Sequence, residues 1–281
     1  MDICRLTERL LTLIYQDKES APVQGLNLFH SQKDQNLRSV PIVHPSVILV
    51  LSGKKQVTNA QGDVVMVSAG EGILVPGNSQ LTMVNFPDQD IHHYLAVALA
   101  IQPELLGRFL RDYAPESATA VSSLVSVTPE VILHLNHWLQ LSELTDMNDA
   151  QIELCVLSLL TFLHTQASLE PMMVAASSWK QKLFNHINSD LSKNWTLEEV
   201  CADLGTSASS LRRHLQQEGS GFRELLEDTR LVSALCILQE TFWPISQVAQ
   251  SVGYQSQSRF SERFKLRFGL SPSELRKTRG R

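Results

Sequence analysis

Cysteine is scarce in this chain, and its residues are too scattered to form a metal or redox motif. Cys4, Cys155, Cys201 and Cys236 show no C-x-x-C spacing, so we expect buried, reduced thiols rather than thiolate ligands or disulfides. Long apolar runs are also missing, because no stretch reaches the roughly 18 residues that a membrane-spanning helix requires. The early acidic residues are unlike a signal peptide. We therefore expect a cytoplasmic protein that does not enter a membrane.

An overall excess of positive charge is absent as well, since the formal net charge is -5. The charge is unevenly distributed, however. Residues 179–281 carry 15 Lys and Arg against 11 Asp and Glu, whereas the remainder of the chain has a net charge of -9. Affinity for a polyanion depends on the local basic surface rather than on the average. The C-terminal third is thus the part in which a nucleic-acid contact is expected.

The pattern of apolar residues divides the chain into three regions. Residues 1–20 repeat apolar side chains at helical spacing. Residues 23–101 contain short β-branched runs separated by Gly and Pro, which predicts an antiparallel barrel or sandwich. Helical spacing returns from 103 to 168, and a segment without period at 171–178 is predicted to be a linker.

Two similar helix-turn-helix patterns follow the predicted linker. In the first, Thr196 begins a capping-box pattern and Gly205 permits the turn; in the second, Gly253 permits the turn and Ser256 is the predicted cap. An apolar helix over 222–240 is predicted to join them. Two such units can place one helix in each of two successive DNA major grooves.

The polar faces of the two second helices are the predicted DNA-contacting surfaces. Arg and Gln suit this role because both can form bidentate hydrogen bonds with purine edges. The predicted contact residues are Ser209, Ser210, Arg212, Arg213 and Gln216 in the first unit, and Gln257, Ser258, Ser261, Glu262 and Lys265 in the second. The alternative is that these are solvated faces of an ordinary helical domain, which two units at matched spacing disfavour.

Residues 195–277 resemble the C-terminal domain of AraC/XylS-family regulators. The resemblance rests on three segments, Trp195–Val200, Gly253–Ser261 and Phe264–Arg276. It implies an all-α domain that binds double-stranded promoter DNA through two helix-turn-helix units, activation by contact with RNA polymerase, and a homodimer on paired sites. The family commonly has Arg where this chain has Glu262, and a glutamate repels phosphate.

The strand-and-turn pattern of residues 62–76 resembles the cupin-like N-terminal domains of the same family, and residues 45–57 resemble a subgroup of them. This resemblance implies a small barrel that can hold a ligand, followed by helices that dimerise. Lys54 and Lys55 follow the turn at Gly53. Both are expected to be solvated; the alternative is that one of them contacts an anionic small-molecule effector at the mouth of the barrel.

A metal-dependent cupin enzyme is the alternative from another functional class. Such enzymes gather histidines and a carboxylate around a metal, and the candidates here are His30, His44, His92, His93 and Glu71. No His-x-His pair is present, and adjacent His92 and His93 would point to opposite faces of a strand. We therefore predict no catalytic residue, no metal site and no cofactor.

Together these observations predict an α+β protein with a cupin-like sensor and dimerisation domain at 1–170, its barrel at about 23–101 and its helices at about 103–168. A linker at 171–178 and a DNA-binding domain at 179–281 follow. The predicted function is that of a sequence-specific transcription activator modulated by an effector in the barrel. The alternatives are a regulator controlled by a protein partner, and a small-molecule-binding or metal enzyme with a DNA-binding appendage.

Overall fold

Two antiparallel β-sheets form the N-terminal part of the chain in the computed structural model, which describes residues 2–16, 23–114, 122–173 and 178–280. The first sheet has the strand order β1-β8-β3-β6-β9, and the second has the order β2-β7-β4-β5. The strands are β1 (Asn27–Ser31), β2 (Gln35–Ile42), β3 (Ser46–Ser52), β4 (Lys54–Thr58), β5 (Val64–Ser68), β6 (Glu71–Val75), β7 (Ser79–Phe86), β8 (Tyr94–Ala100) and β9 (Leu124–Ser126).

Strand β3 is apolar on both faces because two different cores cover it. Val47, Leu49 and Leu51 point to the outer face of the first sheet, where they pack against helices. Ile48 and Val50 point inward, toward the apolar side chains of the second sheet. A strand covered on both faces has a continuous apolar run instead of an alternating one, which explains the run that the sequence shows here.

Four helices contribute to the outer core of the first sheet. They are α1 (Ile3–Gln16), α2 (Pro103–Asp112), α3 (Pro129–Leu144) and α4 (Asp149–His164). Thr128 caps α3, and Asn148 forms a capping box with Gln151 at the start of α4. Trp138 of α3 is completely buried in this core. Residues 174–177 of the predicted linker lie outside the described residues, so its extent stays a prediction.

The C-terminal part is helical, as predicted. Its helices are α5 (Trp179–Asn188), α6 (Leu197–Asp203), α7 (Ala208–Gln217), α8 (Phe222–Glu240), α9 (Ile245–Ser251), α10 (Gln257–Phe268) and α11 (Pro272–Thr278). The Thr196–Glu199 capping box before α6 is present, and a second one, between Ser271 and Glu274, begins α11. Ser207 caps α7 and Ser256 caps α10. Within the described residues, no helix is both long enough and apolar enough to cross a membrane.

The two helix-turn-helix units belong to different cores. Leu211 and Leu215 of the first unit lie in a separate cluster with residues of α5, α6 and α8. Phe264 of the second unit lies in the same cluster as Leu235 of α8 and Val50 of the sheet interior. The second unit is therefore continuous with the interior of the β-structure, whereas the first is not.

The two adjacent histidines are not part of a strand, which is the arrangement that the sequence led us to consider. His92 and His93 lie in the turn before β8 rather than on a strand, and His92 has a positive φ of 55°. Because the turn redirects the backbone, the alternation of a strand does not apply. The His93 Nδ1 atom lies 2.9 Å from Nε2 of buried His30, and the two rings form a pair.

Candidate nucleic-acid interface and interior cavity

The two helix-turn-helix units are joined by a single helix, α8. The first unit consists of α6 and α7, the second of α9 and α10, and α8 has 19 residues. At 1.5 Å per residue this helix is about 28 Å long, which is comparable with the roughly 34 Å of one DNA turn. In the second unit the turn depends on Gly253 (φ 82°), because an added β-carbon would lie 2.6 Å from the Leu191 carbonyl oxygen.

Helix α7 presents the predicted residues of the first unit to solvent. Ser209, Arg212, Arg213 and Gln216 are exposed and Ser210 is half-buried, while Leu211 and Leu215 face the core. Neither arginine forms an ion pair with a described residue. Both guanidinium groups are thus available to a nucleic acid.

Helix α10 presents the predicted residues of the second unit in a similar way. Gln257, Ser258, Glu262 and Lys265 are exposed and Ser261 is half-buried. Lys265 Nζ lies 3.3 Å from Glu274 Oε1, so this carboxylate shares the ammonium group with any phosphate that Lys265 contacts. A hydrogen bond from the Ser271 backbone is the main reason that the pKa of Glu274 is lowered to about 2.

Two arginines on the opposite side of α10 orient the helix. Arg263 forms a bidentate pair with Glu227, and Arg267 forms one with Asp228 at 2.6 and 3.0 Å. The hydrogen bonds from Arg263 lower the pKa of the Glu227 carboxyl. Both acidic residues belong to α8, so these charge pairs hold α10 against α8.

Sequence reasoning did not assign Arg259 a role. It lies in the first turn of α10, is exposed, and is one residue beyond the predicted contact Ser258. The N-terminal residues of a recognition helix are those that reach base edges. The position of Arg259, two residues after the start of the helix, is the sequence signal that could have indicated this role.

A cavity of about 470 Å³ lies between the sheets and the C-terminal helices. Its walls are mainly apolar and include Leu37 and Met83 from the sheets, Phe184 from α5 and Leu235 from α8. This size is within the range of small-molecule sites. Among the described lining residues, Lys55 is the sole Lys, Arg, Asp or Glu.

Lys55 is buried, at 3% exposure, and lies over the ring of Tyr94. Its ammonium group donates a 2.6 Å hydrogen bond to Asn85 Oδ1 and has no ion pair within the described residues. Burial lowers the pKa of Lys55 to about 7, because a low-dielectric environment disfavours the charged form. Lys54, the neighbouring candidate, is exposed on the other face of β4.

A chain of buried amides leads from Lys55 to the C-terminal helices. Asn85 Nδ2 donates to Gln35 Oε1 at 3.0 Å, and Gln239 of α8 donates to the same oxygen at 2.8 Å. Gln35 Nε2 in turn donates to the Thr278 hydroxyl of α11 at 2.8 Å. Sequence reasoning missed these residues, since polar side chains far apart in sequence meet here only in the folded chain.

The histidines and the carboxylate considered for a metal site are dispersed. His30 contacts His93, His44 Nε2 lies 2.9 Å from Asn185 Oδ1, and Glu71 accepts a hydrogen bond from the Ser68 backbone. In the part of the chain that the structure describes, no three potential metal ligands cluster. Burial lowers the pKa of His30 to about 3 and also lowers the pKa of His44.

Comparison with known proteins gives two family matches. The family described as "AraC-type transcriptional regulator N-terminus" matches residues 22–173, and the family described as "Helix-turn-helix domain" matches residues 200–278. The first match alone covers more than half of the chain, and both agree with the resemblance that the sequence shows.

Curated relatives match about a third of the chain. The chain is 35% identical over 96 residues, 34% of its length, to the urease operon transcriptional activator of Escherichia coli. It is 37% identical over 99 residues, 35% of its length, to the transcriptional regulator SirC of Salmonella typhimurium. These alignments cover 32% and 34% of the two relatives, about a third of their length. Both names describe regulators of transcription and not enzymes.

The whole fold is similar to that of ToxT from Vibrio cholerae. An apo ToxT variant superposes with a TM-score of 0.62 at 18% identity, covering 90% of this chain and 96% of that one. At this identity the similarity concerns the fold alone, and it includes both the β-structure and the helical part. The matched N-terminal and helix-turn-helix families, found in the predicted order, show that the chain belongs to the AraC family of transcriptional regulators.

Proposed function

We propose that this chain is a cytoplasmic, sequence-specific DNA-binding regulator that activates transcription, with a sensor part before residue 171 and a DNA-binding part from residue 179. The observation that carries the proposal is the pair of exposed polar helices, α7 and α10, each capped by a serine and separated by α8. The length of α8 suits two successive major grooves. Curated relatives named as activators support the direction of regulation.

Arg213→Ala tests the DNA-binding function. Arg213 is exposed on α7 and free of ion pairs within the described chain, so we expect the loss of a bidentate base contact to cost about 1–3 kcal/mol of specific binding. Fluorescence anisotropy with a duplex selected by the unmodified chain from a randomised pool measures the effect. Arg111→Ala, at an exposed position of α2, is the matched control. Unchanged affinity and footprint for Arg213→Ala would contradict the assignment.

We propose that the cavity binds an apolar molecule bearing a carboxylate. Lys55 supplies one positive charge to a mainly apolar space, and a buried charge favours a ligand that completes an ion pair and its hydrogen bonds. In ToxT, solved structures hold an unsaturated fatty acid and (E)-4-(8-methylnaphthalen-1-yl)but-3-enoic acid. Both molecules combine an acid group with an apolar body, which is the combination that this cavity suits.

The amide chain offers a route from the cavity to the DNA-binding helices. A carboxylate that pairs with Lys55 competes with Asn85 for the ammonium protons, and Asn85 is bonded to Gln35. Gln35 is bonded in turn to Gln239 of α8 and to Thr278 of α11. An effector alters DNA affinity only through a difference in its free energy of binding to two arrangements. We propose that the two arrangements differ in these hydrogen bonds.

We also propose a homodimer formed through α3 and α4, and contact of the DNA-bound dimer with RNA polymerase. Leu133, Leu144 and Leu154 on these helices are 68%, 78% and 66% exposed, which is unusual for large apolar side chains on neighbouring helices.

Substitution of one of these leucines tests the dimer. Leu144→Asp and Leu154→Asp are each expected to weaken self-association by at least about tenfold without lowering the melting temperature, because exposed leucines contribute little to the monomer. Sedimentation equilibrium measures the association constant. Leu266→Asp, which replaces a 73% exposed leucine on α10, is the control that leaves association unchanged. A chain that is monomeric at all concentrations would contradict the proposal.

A further inference from the structure

One basic side chain of the β-structure lies against the second recognition helix. Arg38 of β2 is exposed, and its aliphatic part crosses Gly269, the C-cap residue that follows α10. A β-carbon added at Gly269 would lie 3.1 Å from Cδ and 3.4 Å from Nε of Arg38. The absence of a side chain at Gly269 therefore lets Arg38 pack directly on the end of the helix.

The backbone next to Arg38 is held by hydrogen bonds to neighbouring elements. β2 has an irregular register between Leu37 and Val40, and Ser39 has a positive φ of 51°. The Ser39 carbonyl accepts a 2.6 Å hydrogen bond from Arg267 Nη1, and the Ser39 amide donates to Thr82 Oγ1. Arg267 is also paired with Asp228 of α8. A strained residue in a bulge persists only where its surroundings impose it, so this segment holds Arg38 in a defined place.

That place is in line with the predicted DNA-contacting residues of α10. Ser258, Glu262, Lys265 and Gly269 are spaced by four, three and four residues, which puts them on one face of a helix. Arg38 lies on the last of these positions, and a shared surface groove is lined by Arg38, Glu262 and Lys265. The groove contains one carboxylate, that of Glu262, among its described lining residues.

The Arg38 guanidinium is available to bind an anion, because no described acidic side chain of this groove is paired with it. It has no ion pair within the described residues, whereas Lys265 is shared with Glu274 and Arg267 with Asp228. Glu262 repels the phosphates that flank a major groove. A positive charge on the same line, one turn past Lys265, offsets that repulsion and can pair with a phosphate.

We propose that Arg38 extends the DNA interface of the second recognition helix and binds a backbone phosphate from the N-terminal β-structure. The proposal rests on the DNA-binding function proposed above. It makes the position of the β-structure part of the binding surface, so a displacement of β2 from α10 removes a phosphate contact.

The test uses the full chain with Arg38→Gln, which retains most of the aliphatic contact with Gly269, and with Arg38→Lys, which retains the charge. The probes are the duplex selected in vitro by the unmodified chain and a scrambled duplex of the same length. Anisotropy titrations over a series of KCl concentrations give the slope of log Kobs against log salt. For Arg38→Gln we expect the magnitude of the slope to fall by about 0.9 and affinity to fall about fivefold at about 0.15 M salt.

Both duplexes are expected to lose the same factor, because a phosphate contact carries no sequence information. Arg38→Lys should retain the slope, and Arg5→Ala, which removes an exposed arginine of α1, should leave it unchanged. An unchanged slope for Arg38→Gln together with weakened binding by Arg213→Ala would overturn the role of Arg38 and leave the proposed function intact. A full chain that prefers no duplex would overturn both.

Discussion

Lys55→Met is expected to abolish measurable binding of a long-chain carboxylate and to stabilise the ligand-free chain at neutral pH. Removing one partner of a buried ion pair costs about 2–5 kcal/mol of affinity. Without ligand, the Lys55 ammonium is buried with one hydrogen bond and no described counter-ion. Its removal ends a desolvation cost that outweighs the loss of that bond, so we expect a gain of about 1–3 kcal/mol in the free energy of unfolding at pH 7.

The stability difference between the two chains has a defined pH dependence. Burial lowers the pKa of Lys55 from 10.5 to about 7, so between these values the unfolded chain binds more protons than the folded chain. The unmodified protein therefore gains stability relative to Lys55→Met as the pH rises from about 7 to about 10. Below pH 7 both states are protonated and the difference is constant. Urea denaturation of both chains at several pH values measures how this difference in the free energy of unfolding shrinks as the pH rises.

Lys54→Met is the matched control, because Lys54 is the adjacent residue and is exposed. It should leave both stability and ligand binding unchanged. Isothermal titration calorimetry with oleate and with oleyl alcohol separates the contribution of the acid group from that of the apolar chain. Binding of oleate to Lys55→Met with undiminished affinity would refute the assignment of Lys55, and an equal effect of Lys54→Met would show that the wrong lysine was chosen.

The difference between these two lysines marks what sequence reasoning could and could not predict. Helix starts such as Thr196 and Ser256 were predicted correctly, because a cap and its partner are three residues apart and depend on local backbone geometry. Lys54 and Lys55 are adjacent and equally polar. Because successive side chains of a strand point to opposite faces of the sheet, one of the two points into the interior. Which one is buried depends on the pairing of β4 with β5 and β7, which involves residues distant in sequence.

The cavity could not be predicted for the same reason, because residues distant in sequence form it. Leu37 and Lys55 lie on strands, whereas Phe184 and Leu235 lie on helices of the C-terminal part, and they meet only after the two parts pack. The two His residues before β8 show a related limit. Gly and Pro mark turns in a sequence, but the turn at His92 uses a non-glycine residue with positive φ, which carries no such signal.

Phe264→Ala is expected to lower the free energy of unfolding by about 3–5 kcal/mol, as is usual for a buried phenylalanine. Phe264 is fully buried, and its ring lies between those of Phe260 and Phe268 at centroid distances of 5.6 and 4.8 Å. Because Phe264 and the cavity residue Leu235 belong to one core, we expect this substitution to weaken both DNA binding and oleate binding. Thermal denaturation, anisotropy and calorimetry measure the three effects.

Leu215→Ala is the control that separates a general loss of stability from an effect transmitted through the shared core. Leu215 is equally buried, but it lies in the separate core of the first helix-turn-helix unit. Its loss should cost about 2–5 kcal/mol of stability and weaken DNA binding while leaving oleate affinity near that of the unmodified chain. If both substitutions reduced oleate affinity equally, the effect would follow overall stability, and the shared core would not be the connection between effector and DNA. A selective loss with Phe264→Ala would instead place that connection in the second unit, because side chains there pack continuously from the recognition helix to the sheet interior.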